Sequence, residues 1–379
     1  MKKIGILTFH YSNNYGGVLQ SLALYNTVKE LGYDVEIINY IPKSYQPYNL
    51  IGNLGIRKNI FKNKLNNLNI INILQKVKIM NKYCESIMNQ FDSYREEKAN
   101  YSKRVDEDSL ETILNNYSAI IVGSDQVWNP SQRRNPIYFL NFGDKYEGKK
   151  ISYAPDSTIR DVNQEDLQVL KKALGEFHHI SVRNDHSFDF VKSIIDKEAD
   201  IVADPTLLFD FNSLGKKESS EGEYILTYVL GKEIEGSHKK VIEKIRSKYG
   251  NIPVYSIKIP TMNFELSPFA DKVFYDLNPD EWISMFKNAK FVYTDSFHGA
   301  LFSLKYHKPF LAYYTEKLRA TRFIDLGKRY NIDKYIVQNI AEIDEKQALD
   351  VVPDFNSIDK TIESQKKISL DFLRNALYE

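Results

Sequence analysis

The chain has 379 residues, a formal net charge of +1 and one cysteine, and it is rich in Tyr (26) and Phe (21). The length predicts two domains, because a single hydrophobic core rarely grows this large, and the near-zero charge excludes nucleic-acid binding by bulk electrostatics. A lone Cys84 excludes an internal disulfide or a zinc cluster, and without a signal peptide or a run of about 20 apolar residues the sequence predicts a cytoplasmic protein.

The chain opens with a predicted strand, helix and second strand. The run from Lys3 to Phe9 is almost continuously apolar, as in a strand buried on both faces of a parallel sheet. A loop from His10 to Gly17 leads into a helix predicted from about Val18 to Leu31. The run from Val35 to Tyr40 is the next strand, so these elements form a right-handed βαβ unit.

The loop of this unit has glycines where its helix begins. Asn14, Gly16 and Gly17 do not complete the G-x-G-x-x-G spacing of a dinucleotide site, so we predict no nicotinamide cofactor. Two glycines at the carboxyl end of a strand either form a tight structural turn or let a ligand approach the backbone. The sequence leaves both interpretations open.

Residues 43–104 differ in character from the rest of the chain. They contain twelve Lys or Arg against four acidic residues, and their apolar residues recur at mostly helical spacing. The pattern predicts a helical insertion in the first domain. One interpretation is a solvated helical excursion. The other is a surface for an anionic lipid or a phosphorylated carrier, contacted through Lys58, Lys62 and Lys64.

Four further predicted strands end in polar residues. They are the runs 119–122, 151–154, 179–182 and 201–203, followed within a few residues by Asp125, Asp156, Arg183 and Asp204. An open parallel sheet lines a crevice with such residues at its carboxyl edge. We therefore expect residues 1–212 to form a doubly wound, Rossmann-like first domain.

A second series of strands and helices follows a polar, Gly- and Ser-containing segment after Phe211. It predicts a second Rossmann-like domain over residues 213–356. Residues 357–379 read as a terminal helix that packs back on the first domain. The expected fold is therefore α/β, with two facing doubly wound domains and a cleft between them.

The most informative stretch runs from Phe291 to Lys308. A short apolar strand is followed by the capping oxygens of residues 294–296, and a helix is predicted from Phe297 to Tyr306. This places His298 and Gly299 at a helix N-terminus, where free N–H groups and the helix dipole favour an anion. A packed polar histidine under a loop is the alternative.

Several short motifs together resemble the polysaccharide pyruvyl transferases. They are NYGGVLQ (14–20), VGSDQVWN (122–129), SYA (152–154), SVR (181–183), DPT (204–206) and TDSFHGA (294–300). The resemblance covers nearly the whole chain in the right order. One departure is Pro155-Asp156, where the family usually has small residues. The resemblance implies an architecture like that of the two-domain GT-B glycosyltransferases and transfer of pyruvate from phosphoenolpyruvate to a sugar as a ketal.

This resemblance implies roles for individual residues. Phosphoenolpyruvate carries a carboxylate and a phosphate, so Arg183 and Arg322 are expected to bind it with forked guanidinium groups, assisted by Lys305 or Arg319. Arg322 is expected where a helix of the second domain begins. His298 is expected to donate a proton, either to the enol methylene or to the departing phosphate. Asp125 is the expected base for a sugar hydroxyl, with a helix-cap or turn role as its alternative.

The remaining expectations concern ligands and partners. We expect Asn14, Gly16, Gly17, Ser296 and Gly299 to contact substrate. No metal or resident cofactor is expected, with phosphoenolpyruvate as co-substrate. The other partner is a saccharide acceptor that is lipid-diphosphate-linked, nucleotide-linked or polymeric, reached at the inner face of the membrane if it is lipid-linked.

Two other functions fit the same resemblance. One is a glycosyltransferase that binds a nucleotide-sugar diphosphate where the His298 helix begins. The other is a non-catalytic polysaccharide-assembly protein whose working surface is the basic insertion. A fold alone cannot choose between them, because one fold hosts many functions.

Overall fold

The computed structural model of the chain describes residues 3–45, 67–129, 136–157, 159, 162, 164–211 and 222–378. Within this part, two six-stranded parallel sheets carry helices on their faces. The inner strands of each sheet are short, apolar and buried on both sides, which is why they read as continuous apolar runs in the sequence, whereas the edge strands that end at Ile201 and Phe274 are partly exposed. The predicted α/β class with two doubly wound sheets is confirmed.

The first sheet has the strand order β2-β1-β3-β4-β5-β6. Its strands are β1 (Lys3–Leu7), β2 (Val35–Ile37), β3 (Tyr117–Val122), β4 (Lys149–Ser152), β5 (His179–Val182) and β6 (Asp200–Ile201). The helices of this half are α1 (Tyr15–Glu30), α2 (Asn67–Lys98), α3 (Gln164–Gly175), α4 (Asp185–Ile194) and the short α5 (Pro205–Leu208). The strand order reverses between β1 and β3, and ligands of open sheets bind at such a point.

The second sheet has the strand order β12-β11-β10-β7-β8-β9. Its strands are β7 (Ile225–Tyr228), β8 (Val254–Ile257), β9 (Lys272–Phe274), β10 (Phe291–Thr294), β11 (Phe310–Tyr313) and β12 (Ile336–Val337). The helices are α6 (His238–Tyr249), α7 (Pro279–Asn288), α8 (Phe297–Lys305), α9 (Lys317–Tyr330), α10 (Ala341–Glu345) and α11 (Phe355–Tyr378). Here the order reverses between β7 and β10, directly before α8.

Helix α1 lies where the two halves meet. It begins at Tyr15, three residues earlier than predicted, so both glycines belong to its first turn and not to a tight turn before it. The Tyr15 hydroxyl donates to the carbonyl of Leu277 at 2.7 Å, and its ring stacks on Trp282 of α7 with centroids 5.4 Å apart. The first helix of one half is therefore packed into the core of the other.

The insertion helix α2 connects both halves. Its Phe91 ring lies 4.9 Å from the ring of Tyr15, its Tyr94 hydroxyl donates to Asp280 at 2.9 Å, and its Ser86 hydroxyl donates to Asp276 at 3.0 Å. Because Phe91 and Tyr94 are buried in these contacts, this part of the apolar face of α2 is covered by protein. Within the insertion predicted over residues 43–104, the structure has a helix over Asn67–Lys98, whereas Lys58, Lys62 and Lys64 lie outside the described residues.

Helix α11 returns to the first sheet. The Ser369 hydroxyl accepts a hydrogen bond from the Ala203 amide at 2.9 Å, and the Phe372 ring lies 6.3 Å from the ring of Tyr153. The helix begins at Phe355. The domain bounds at 212 and 356 stay a prediction, since residues 212–221 are outside the described part of the chain.

Among the described residues, no helix combines the length and the apolar character that a membrane span requires.

Candidate functional site

The start of helix α8 is fixed by its own capping residues. Ser296 is the N-cap, and its hydroxyl accepts the Gly299 amide at 3.2 Å. A Cβ on Gly299 would lie 3.2 Å from both Cβ and Cγ2 of Thr294 and closer still to its Oγ1. We expected Gly299 to let a ligand approach. In the structure its amide donates to the Ser296 hydroxyl, and the side on which a Cβ would lie faces Thr294. The glycine is therefore needed for close packing of α8 on β10.

His298, in the first turn of α8, lies against the first turn of α1. A Cβ built on Gly16 would lie 2.6 Å from Cγ and 2.9 Å from Cε1 of the His298 ring, and closer still to Nδ1. Such distances are far inside van der Waals contact, so only glycine fits at position 16 with the ring in this place. The starts of α1 and α8, which follow β1 and β10 at the reversal points of the two sheets, meet at this contact.

On its other side, His298 faces Asp204. The imidazole Nε2 is 3.5 Å from Asp204 Oδ2, and His298 is 7 % exposed. Asp204 is held rigidly, because its Oδ1 accepts both the amide of Thr206 at 3.0 Å and its hydroxyl at 2.8 Å. Burial alone would raise the pKa of Asp204, but His298 and Arg183 outweigh it and hold that pKa well below its ordinary value. A buried carboxylate anion therefore faces the imidazole.

Arg183 continues the chain of charges. Its Nη1 donates to Asp204 Oδ2 at 3.0 Å, and its Nη2 donates to Asp156 Oδ2 at 2.6 Å. The guanidinium is buried and lies 4.4 Å from the centroid of the Phe297 ring. Burial opposes its charge, but the two carboxylates raise the pKa of Arg183 above its ordinary value. Since both terminal nitrogens are engaged, the structure supports a role in holding Asp204, and the expected role as donor ligand stays a prediction.

Arg322 lies at the outer end of this chain. It is in the second turn of α9, and not at the start of a helix as predicted. Its Nε is 3.9 Å from Asp156 Oδ2, and its side chain is 15 % exposed against 3 % for Arg183. Burial opposes ionisation of Asp156, but Arg183 and Arg322 lower its pKa below the ordinary value. Charges of alternating sign thus run from Asp204 to Arg322.

Asp125 lies on the other side of the α1 start. Its backbone has φ = 80°, a strained conformation for a residue other than glycine, and such strain is often found at functional sites. Its Oδ1 accepts the amide of Gln126 at 2.8 Å, and its Oδ2 is 3.8 Å from where a Cβ of Gly17 would lie. The Gly16–Gly17 pair is therefore flanked by His298 and by Asp125, the two residues predicted to be catalytic.

Two other predicted site residues have contacts within the protein. Asn14 is the N-cap of α1, and its side-chain oxygen accepts the Gly16 amide at 3.0 Å. The Lys305 ammonium donates to the carbonyls of Thr206 at 3.0 Å and Phe209 at 2.7 Å. Burial lowers the pKa of Lys305 to about 8. Lys305 thus connects α8 to the segment around α5, and we leave it out of the proposed donor site.

Sequence reasoning did not assign a role to Asp156 and Asp204. Both belonged to strand ends that were recognised as polar, and the Asp204-Pro205-Thr206 motif is itself the cap of α5. The signal that could have identified them is the excess of acids near Arg183 at one sheet edge. Within the described ranges, no group of three or more His, Cys, Asp or Glu side chains is arranged to hold a metal ion.

The architecture is that of a two-domain α/β protein of the GT-B type. UDP-GlcNAc 2-epimerase from Neisseria meningitidis, solved with UDP-GlcNAc, matches with a TM-score of 0.53 and 9 % identity over 100 % of both chains. The UDP-N-acetylglucosamine 2-epimerase of Rickettsia bellii matches with a TM-score of 0.51 and 9 % identity over 100 % of this chain and 96 % of the other. At this identity the similarity shows the fold alone.

The sequence itself shows the family. The chain belongs to the polysaccharide pyruvyl transferase family, whose model matches residues 14–317 and so includes every residue of the site but Arg322. None of the curated proteins compared with the chain matches it significantly. Membership of this family indicates a transferase.

Proposed function

We propose that the protein transfers pyruvate from phosphoenolpyruvate to two hydroxyls of a sugar, forming a ketal and releasing phosphate. The sugar would belong to a bacterial surface polysaccharide, such as a capsule or exopolysaccharide, or to its lipid-linked precursor. One observation carries the proposal: His298 lies in the first turn of α8, between Gly16 of the other half and the Asp204 carboxylate. A histidine so placed, where the first helix of one half meets α8 of the other, is suited to proton transfer.

The donor would bind at the start of α8. The positive end of the helix dipole attracts an anion, and the first-turn amides of Phe297 and His298 point out of the helix. Arg322 is the more exposed of the two arginines beside Phe297 and is suited to a carboxylate or phosphate of phosphoenolpyruvate. Arg183 would act indirectly by keeping Asp204 and Asp156 in place.

The reaction needs three proton movements that these side chains can serve. His298 gives a proton to the enol methylene, which becomes the methyl group, while the neighbouring carbon gains positive charge. Asp125 accepts the proton of the first sugar hydroxyl as its oxygen bonds to that carbon. The second hydroxyl then displaces phosphate, which leaves with the proton of that hydroxyl. The proton taken up by Asp125 passes to solvent and His298 regains one from solvent, so atoms and charge balance. Asp204 contributes by holding the His298 ring in place from the side opposite Gly16.

His298→Ala tests this assignment. We expect turnover to fall by roughly 10²–10⁴-fold, the usual loss for a general acid or base, with phosphoenolpyruvate binding retained. His307→Ala is the matched control, because His307 is half exposed and pairs with Asp359 on the surface. Phosphate release at the wild-type rate in His298→Ala would remove His298 from the mechanism.

The product that leaves separates this function from the glycosyltransferase alternative. A pyruvyl transferase releases phosphate from phosphoenolpyruvate, whereas a glycosyltransferase of the same architecture releases a nucleotide from a nucleotide sugar. An assembly protein without catalysis releases neither, and His298→Ala would leave its partner binding intact.

The membrane contact is a separate part of the proposal. A lipid-diphosphate-linked acceptor would require the enzyme to work at the inner face of the membrane. Each basic residue near an anionic membrane surface contributes up to about 1 kcal/mol to the free energy of binding. We propose Lys58, Lys62 and Lys64 for this contact. Co-sedimentation with anionic vesicles at low salt tests it. Binding should fall with salt and when the three lysines are changed to Glu, and an absence of binding at low salt contradicts it.

A further inference from the structure

A cavity of about 480 Å³ lies at the carboxyl ends of β1 and β2, beneath helix α2. It is separate from the His298–Asp204 cluster but begins on the same loop. We infer that this cavity, here called the α2 cavity, binds the saccharide that accepts the pyruvyl group. The inference rests on the proposed function and adds to it the location of the acceptor and the part of the chain that selects it.

The walls of the α2 cavity carry tyrosine rings. Tyr11, Tyr45 and Tyr101 line it, and each is partly exposed. Tyr11 and Tyr45 pack edge to face with centroids 4.6 Å apart, while Tyr101 lies 5.5 Å from the His10 ring. A sugar ring has apolar C–H faces and a polar rim, so flat rings that are apolar on the face and polar at the edge suit it.

Polar groups from two sides complete the lining. Asn39 comes from the loop after β2, and Asn89 and Glu96 come from the exposed side of α2. Amides and carboxylates can together donate to and accept from the hydroxyls of a sugar, which are donors and acceptors at once. The site thus offers the mixed hydrogen bonding that a hydroxylated ligand requires.

The charges of the lining favour a neutral ligand. It contains two arginines, Arg95 and Arg104, and two acids, Asp92 and Glu96. Arg95 is already engaged, since its Nη2 donates to Asp92 at 2.5 Å and its Nη1 donates to the carbonyl of His10 at 3.3 Å. A phosphate site would need a surplus of cationic donors, so these residues fit a sugar better than a phosphate group.

The loop from His10 to Gly17 connects the α2 cavity to the proposed site of chemistry. Arg95 Nη2 donates to the side chain of Asn13 at 3.3 Å, and the next residue, Asn14, caps α1. Two residues further on, Gly16 contacts His298. A sugar in the cavity would therefore adjoin the loop that positions the proposed acid. Because one wall belongs to the insertion helix, we place acceptor selectivity in the insertion.

Saturation-transfer NMR on the full chain tests the inference, with methyl glycosides of galactose, glucose and N-acetylmannosamine as probes. We expect at least one to bind wild type, and Asn89→Ala and Tyr101→Ala to weaken that binding at least fivefold. Tyr101→Phe keeps the aromatic ring and should retain most of the glycoside binding. Asn81→Ala, an exposed asparagine two turns earlier on α2, is the matched control and should match wild type.

Phosphoenolpyruvate titration of the same variants separates this inference from the proposed function and reports folding. Unchanged donor affinity with lost glycoside binding supports the α2 cavity as the acceptor site. Glycoside binding that survives both Asn89→Ala and Tyr101→Ala overturns the inference. So does an absence of glycoside binding to wild type at 20 mM, which is about 10²–10³ times the dissociation constant of a tight site. Neither result would contradict phosphoenolpyruvate-dependent chemistry at His298.

Discussion

Replacing Gly16 by alanine tests whether His298 is held by the start of α1. In most helices this change is favourable, because alanine stabilises a helix by about 1 kcal/mol relative to glycine. Here the new methyl group would lie 2.6 Å from Cγ of the His298 ring. Either the ring or the whole of α8 must move, so a change that ordinarily stabilises a helix should disturb the proposed site.

The structure sets the size of the effect. Overpacking a buried contact costs typically 1–3 kcal/mol, which offsets the gain in helix propensity and leaves a net loss of roughly 0–2 kcal/mol in unfolding free energy. Activity should suffer far more, because a displacement of about 1 Å can cost on the order of 10²-fold in rate. We therefore expect Gly16→Ala to be nearly as stable as wild type and at least tenfold slower.

The assay is phosphate release from phosphoenolpyruvate with acceptor present, alongside urea unfolding. Gly175→Ala is the control, because Gly175 ends α3 and a Cβ there would have no atom within 4 Å. It should be at least as stable as wild type and equally active. A Gly16→Ala protein whose unfolding free energy rose by about 1 kcal/mol and whose turnover matched that of wild type would show that His298 does not occupy the place described.

The remaining predictions concern binding, stability and pH. Arg322→Lys should weaken phosphoenolpyruvate binding by about 1.5–3 kcal/mol in calorimetric titration, because lysine keeps the charge but lacks the forked guanidinium group. Unchanged affinity would place the donor elsewhere. Arg183→Leu should lower the unfolding free energy by about 3–5 kcal/mol, because it leaves Asp156 and Asp204 buried together, and a loss below about 1 kcal/mol would contradict this. Burial lowers the pKa of His10 to about 4. Between pH 6.5 and 4 the unfolded state therefore binds a proton that the folded state does not. The free energy of unfolding should fall by about 3 kcal/mol as the pH drops through this window, and it should fall by less in His10→Gln. Equal losses in urea unfolding of both proteins would exclude His10 as the cause.

Most strands were predictable because each of them is a local apolar run. Strand β5 (His179–Val182) was placed to the residue, and β3 and β4 were within a few residues of their bounds. The start of α1 was missed because glycines at 16 and 17 argue locally against a helix. They are accommodated there because Asn14 caps the helix and the His298 ring needs the room at Gly16.

The site was predictable only in part. His298 was identified from a strand-turn-helix pattern that lies within about ten residues of sequence. Its neighbours Gly16 and Asp204 lie far away in the chain, and no local pattern brings them to it. The burial of Arg183 between two carboxylates is likewise a product of three separate strand ends. The same limit explains why neither interpretation of the insertion places α2 against the second half, which its Tyr94 and Ser86 contact.

The most direct test of the central claim is mass spectrometry of candidate saccharide acceptors after incubation with the protein and phosphoenolpyruvate in deuterated water. We predict an acceptor that gains one pyruvyl ketal whose methyl group carries one solvent deuterium, with one phosphate released per ketal formed. In His298→Ala both products should form roughly 10²–10⁴-fold more slowly. Release of a nucleotide from a nucleotide sugar with glycosyl transfer, or ketal formation that persists at the wild-type rate in His298→Ala, would contradict the account.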